Sequence, residues 1–83
     1  MPIIEQVFRC RIDYDVEHDH VITISDKAHK WARASDVHCT TVGGGPAWNA
    51  YLILESSDSD TVLKVATKVE SYIKRFRGAR ILD

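Results

Sequence analysis

The chain has 83 residues, 11 Lys and Arg against 12 Asp and Glu, and a formal net charge of −1. A chain this short has apolar surface for one core rather than two, so residues 1–83 are read as a single domain. Near-balanced charge gives no general pull toward nucleic acid or an anionic membrane. No run approaches the roughly 18 consecutive apolar residues of a membrane span, and the opening residues lack the basic-then-apolar pattern of a signal peptide. Cys10 and Cys39 are too few for a disulfide scaffold and lack C-x-x-C spacing, which fits a reducing, cytoplasmic compartment.

From Ile3 to Tyr14 the residues alternate. Ile4, Phe8, Cys10, Ile12 and Tyr14 lie on one face and Glu5, Arg9, Arg11 and Asp13 on the other, the period of a half-buried strand. The next stretch contains the β-branched run Val21-Ile-Thr-Ile24, yet Val21, Ile24, Ala28 and Trp31 recur at helical spacing and Asp15 is a suitable N-cap, which predicts a first helix. The competing reading of residues 16–25 is a hairpin that turns at Glu17 to His20. Val37 to Val42 alternates again, Gly43, Gly44, Gly45 and Pro46 form a strong turn signal, and Trp48 to Glu55 is an apolar run of strand formers. Ser57-Asp-Ser-Asp60 then supplies candidate caps for a second helix. Its apolar stripe is Val62, Val65, Val69, Tyr72 or Ile73, and Phe76, and it is expected to end at a left-handed Gly78. Ala79 to Leu82 reads as a short last strand.

Strand, helix, hairpin, helix, strand resembles the ferredoxin-like α+β sandwich, βαββαβ, in which two helices cover one face of a four-stranded antiparallel sheet. With the usual strand order 4-1-3-2, the helices run antiparallel. Asp15, Glu17 and Asp19 then face Lys74, Arg75 and Arg77, while Lys27, Lys30 and Arg33 face Asp58 and Asp60, and each helix end carries the sign its dipole favours. The fold hosts many unrelated activities and by itself assigns none.

The clusters with chemical potential have simpler structural readings. Lys74-Arg-Phe-Arg77 with Arg80 would grip phosphates, but it also sits where a helix C-terminus wants cations. The Gly43 to Pro46 loop joins two strands without a following Gly-Lys-Ser/Thr, so it reads as a hairpin turn able to approach a partner's backbone, not as a phosphate cradle. His18, His20, His29 and His38 lack a spacing that aims them at one spot, and no metal or other cofactor is expected. Cys10 and Cys39 both point inward in this register, on strands separated by a third. Their backbones would be about 9–10 Å apart, beyond the roughly 7 Å limit for a bridge, which predicts two free, buried thiols. No Ser-His-acid, Cys-His or apolar-face carboxylate pair suggests catalysis. The opening Met1-Pro-Ile-Ile resembles the start of the tautomerase superfamily, whose chains begin with a catalytic proline, and the resemblance would give that place to Pro2; the match ends there, because this first strand continues to Tyr14.

The sheet face opposite the helices carries the candidate binding residues: Val7, Arg9 and Arg11 from strand one, His38 and Thr40 from strand two, Asn49, Tyr51 and Ile53 from strand three, and Arg80 near the edge. Apolar and planar groups mixed with arginines predict a surface that is covered in use. A protein partner fits best, either a second copy or a larger target, since Tyr and Arg are enriched at such contacts. Compact chains of this style occur among phage and mobile-element proteins that inhibit a host machine by contact. RNA-recognition-motif domains share the topology and stack bases on this face, but Ala47 to Leu54 offers only Tyr51 where that family wants two or three aromatics. ACT-type effector domains are also ferredoxin-like and use the loop after strand one, which here is acidic and suits an amino group.

Overall fold

The computed structural model describes residues 6–43 and 49–82. Six elements follow in the order β1 (Phe8–Asp15), α1 (His18–Ala34), β2 (His38–Val42), β3 (Asn49–Ser56), α2 (Ser59–Ile73) and β4 (Arg80–Leu82). The strands form one antiparallel sheet ordered β2-β3-β1-β4. This is the ferredoxin-like α+β arrangement, with both helices on one face. Among the described residues no helix is long and apolar enough to cross a membrane.

Strand β1 begins at Phe8 because that residue faces Ser56, the last residue of β3, and past Ser56 the chain turns away into α2. Val7 therefore lies outside the ladder, 56% exposed, and is not the strand residue that alternation predicts. At its other end β1 runs to Asp15, which is flanked by Asn49 on one side and Arg80 on the other. Pairing with both Asn49 and Arg80 holds Asp15 in the sheet as the last residue of β1, so the cap of α1 lies beyond it.

The cap position of α1 falls to Glu17, whose side chain makes no capping bond. Helix wins over hairpin across residues 18–25 because Ile24, Ala28 and Ala32, spaced by four, all bury against the sheet. At the C-terminus the Ser35 N–H donates to the Ala32 carbonyl at 3.1 Å, the Asp36 N–H to the Arg33 carbonyl at 3.3 Å and the Val37 N–H to the Ala32 carbonyl at 2.8 Å, and Asp36 turns the chain with φ of 57°. Asp tolerates that left-handed geometry better than most residues.

Asp58 caps α2. Its carboxylate accepts from the Asp60 N–H at 3.0 Å, the Thr61 N–H at 3.4 Å and the Thr61 hydroxyl at 3.0 Å. The Thr61 hydroxyl bond leads the causes that hold its pKa below the usual carboxylate value. The α-helix stops at Ile73, earlier than predicted; the chain continues in tight turns, with the Phe76 N–H on the Ile73 carbonyl, to Gly78 at φ of 78°. Left-handed Gly78 thus closes the turn after the helix, not the helix itself. Ile73 is fully buried, and Tyr72 lies half-buried between the helices.

The core is apolar throughout. Tyr14, Leu52 and Leu54 of the sheet are sealed by Ile24 of α1 and by Val65, Val69 and Ile73 of α2, and among the described residues no polar or charged one is buried. Cys10 and Cys39 both pair with Leu54, from opposite sides. Two interstrand spacings, roughly 9–10 Å, separate them, and both are free thiols. They are half-buried, not fully buried as predicted, because each packs at the margin of the core.

Candidate interaction face

Pairing register arranges the open face in rows across the sheet. His38, Glu55 and Arg9 make the first; Thr40, Ile53 and Arg11 the second; Val42, Tyr51, Asp13 and Leu82 the third; and Asn49, Asp15 and Arg80 the fourth. Strand alternation puts these residues opposite the helices, because their neighbours Ile12, Tyr14, Leu52 and Leu54 fill the core. The arginines, His38, Tyr51 and Ile53 therefore share one surface as expected, and Asn49 holds its register position there.

The charges on that surface are paired. Arg9 donates to Glu55 at 3.2 Å across strands, and Arg80 donates to Asp15 at 3.3 Å. Arg11 clasps Asp13 with two nitrogens, Nε to Oδ2 at 3.1 Å and Nη2 to Oδ1 at 3.1 Å. Its guanidinium also lies 4.0 Å from the centre of the Tyr51 ring, a cation–π contact that fixes both planar groups. Bonding to Asp13 is the main reason the Arg11 pKa is raised above its ordinary value.

Apolar side chains occupy the ground between the ion pairs. Val42 is 39% exposed, and Tyr51, Ile53 and Leu82 are partly exposed. Val42, Leu82 and the three carboxylates were absent from the residues singled out by sequence. Their parity along each strand carries the signal: Asp13 and Asp15 alternate with Ile12 and Tyr14, and Glu55 with Leu54 and Ser56. Of the turn residues, Gly43 is exposed, and Gly44, Gly45 and Pro46 lie outside the described residues, as does Pro2.

Elsewhere the histidines are dispersed. His20 stacks on Phe76 with ring centres 4.6 Å apart, His29 Nε2 meets the Thr41 hydroxyl at 3.1 Å, His38 meets the Thr40 hydroxyl at 3.4 Å, and His18 opens α1. Among the described residues no group of three or more His, Cys, Asp or Glu is placed to hold a metal ion. The basic cluster also divides: Lys74 and Arg75 stay at the end of α2, Arg80 turns to Asp15, and Arg77 joins Asp15, Val16, Glu17 and Gly78 around a depression of about 400 Å³. A larger depression, about 470 Å³, lies under the C-terminus of α1 and includes His29, Arg33, Asp36, His38, Cys39 and Glu55. Burial pushes the Cys39 thiol above its ordinary pKa, which makes it a poor nucleophile.

No family model matches the chain, and no curated protein matches it. Among solved structures it is similar to "De novo designed protein Foldit4", with a TM-score of 0.70 over 92% of this chain and 89% of that one, at 12% identity. At that identity the likeness is one of fold, and it agrees with the two-helix, four-stranded arrangement described above.

Proposed function

We propose that the chain is a binding module without catalytic chemistry that docks on another protein through the open sheet face. The observation that carries the reading is the apolar ground of Val42, Tyr51, Ile53 and Leu82, framed by three arginines that each already hold a carboxylate. Nucleic acid would need cations free to replace phosphate counterions, and these are neutralised in place. A protein surface suits the face better: Tyr51 and Arg11 are held rigid before contact, so little side-chain freedom is lost on binding. The alternation of sign also lets a second copy, turned about a two-fold axis, meet each charge with its opposite.

Light scattering across a concentration series tests self-association first. The expected result is a dimer whose dissociation constant rises about tenfold or more in Tyr51→Ala and Ile53→Asp. Should the chain stay monomeric, a benzophenone amino acid replacing Tyr51 should cross-link to a different protein in the source cell. Absence of both dimer and adduct, or oligonucleotide binding that disappears in Arg9→Glu with Arg11→Glu, would overturn the reading.

A second reading draws on the depression at the β1–α1 turn. Asp15 and Glu17 could receive an ammonium there and Arg77 a carboxylate, the two ends of an amino-acid effector. Its mark would be amide shifts confined to residues 15–18 and 77–78 on adding free amino acids, lost in Arg77→Ala.

A further inference from the structure

The outer side of the helical layer differs from the sheet face in its charge. The antiparallel helices α1 and α2 leave a shallow groove beside Trp31 and Tyr72, which continues over α2 toward Ser35 and Thr61. Its aromatic lining is Trp31 and Tyr72, which meet edge to face at 5.5 Å; behind Tyr72 the ring contacts run on to Phe76 at 5.2 Å and from there to His20. Three depressions of about 390, 340 and 360 Å³ run along it, the first two sharing Thr67 and Lys68, the last two sharing Tyr72. Leu63, 60% exposed, forms an apolar ledge in the first.

Five cations line these depressions, Lys64, Lys68 and Arg75 on the α2 side and Lys27 and Lys30 on the α1 side, against the single carboxylate of Asp26. None of the five enters an ion pair among the described residues. We propose that this groove is a second docking site whose occupant is an acidic peptide segment with apolar anchors. Charge complementarity selects an anionic partner, and the aromatic geometry selects a peptide over single-stranded nucleic acid. Bases stack on open ring faces, whereas the Lys27 ammonium sits 5.4 Å from the Trp31 ring centre and 5.9 Å from that of Tyr72, and the two rings pack on each other. The floor therefore offers edges and apolar notches for side chains, with lysines above them for carboxylates. The site is separate from the sheet face and does not depend on the reading given to that face.

The test is a backbone and indole amide titration of the ¹⁵N-labelled protein by NMR with an acetylated Asp/Glu heptapeptide carrying two leucines four residues apart. Shifts should be confined to Trp31, Thr67, Lys68, Ser71 and Tyr72. Binding should weaken about tenfold in Lys68→Glu with Arg75→Glu, and stay within about twofold of wild type in Tyr51→Ala. Any of three results would overturn the proposal: no shifts in the groove, equal binding by a leucine-free acidic peptide, or tighter binding by oligothymidylate of matching charge.

Discussion

Gly78 sits at φ of 78° with nothing within 4 Å of where a Cβ would stand. Its requirement is thus purely one of backbone conformation. Gly78→Ala should cost about 1 kcal/mol and Gly78→Asn less, since Asn visits the left-handed region more readily. Urea unfolding measures this; an alanine variant as stable as the parent would show that the turn does not need that geometry. Asp36 occupies the same backbone region at φ of 57°, but nothing in the sequence marks it, because an Asp after a helix also reads as an ordinary polar loop residue. The glycine was legible and the aspartate was not, for the plain reason that glycine's conformational licence is unusual. At the open face the same contrast holds: Tyr51 and Arg11 were legible as types, while their 4.0 Å stacking depends on a register that alternation leaves undetermined by whole pairs of residues.

The elements were legible wherever one period dominated. α2 has a capping aspartate and a stripe that buries Val62, Val65, Val69 and Ile73. α1 was ambiguous because Val21 to Ile24 suits a strand by type and a helix by spacing, and tertiary burial decides between them. Adjacent-but-one residues separate the two cases: in a strand Ile22 and Ile24 would share a face, whereas here Ile22 is 70% exposed and Ile24 is 0% exposed. Ile24→Ala should therefore destabilise the protein by about 2–5 kcal/mol, and Ile22→Ala by under about 0.5 kcal/mol, in chemical denaturation. Similar costs at both positions would restore the hairpin. The interhelical groove escaped the sequence because Trp31, Tyr72 and Phe76 each look like core on a helical wheel. Only the packing of the two helices brings them together at the boundary, where all three are half-buried and touch one another in turn.

Over the whole molecule, the sheet order places Cys10 and Cys39 on either side of Leu54 and out of bonding reach of each other. Burial raises both thiol pKa values, with Glu70 adding to the effect at Cys10. A folded pKa above the unfolded one means that the stabilising contribution is complete below the unfolded thiol value of about 8.5 and declines as pH rises through the folded values. Buried Tyr14 is shifted the same way by desolvation, so the expected outcome is an alkaline loss of stability that Cys10→Ala with Cys39→Ala reduces, leaving the part due to Tyr14, and iodoacetamide labelling at pH 8 at least about tenfold slower than for glutathione. Rapid labelling of both thiols in the native protein would contradict the register. The sheet itself is uneven in width. β4 reaches only Asp13, Tyr14 and Asp15, so from Phe8 to Ile12 the central strand β1 has a described neighbour on one side alone. An unpaired stretch of strand is a template on which any other extended chain can grow. Arg9 and Arg11 stand on that stretch, each bonded to a carboxylate, and charged side chains are a common guard at a strand edge. The residues that frame the binding face thus also border the edge where a further strand would add.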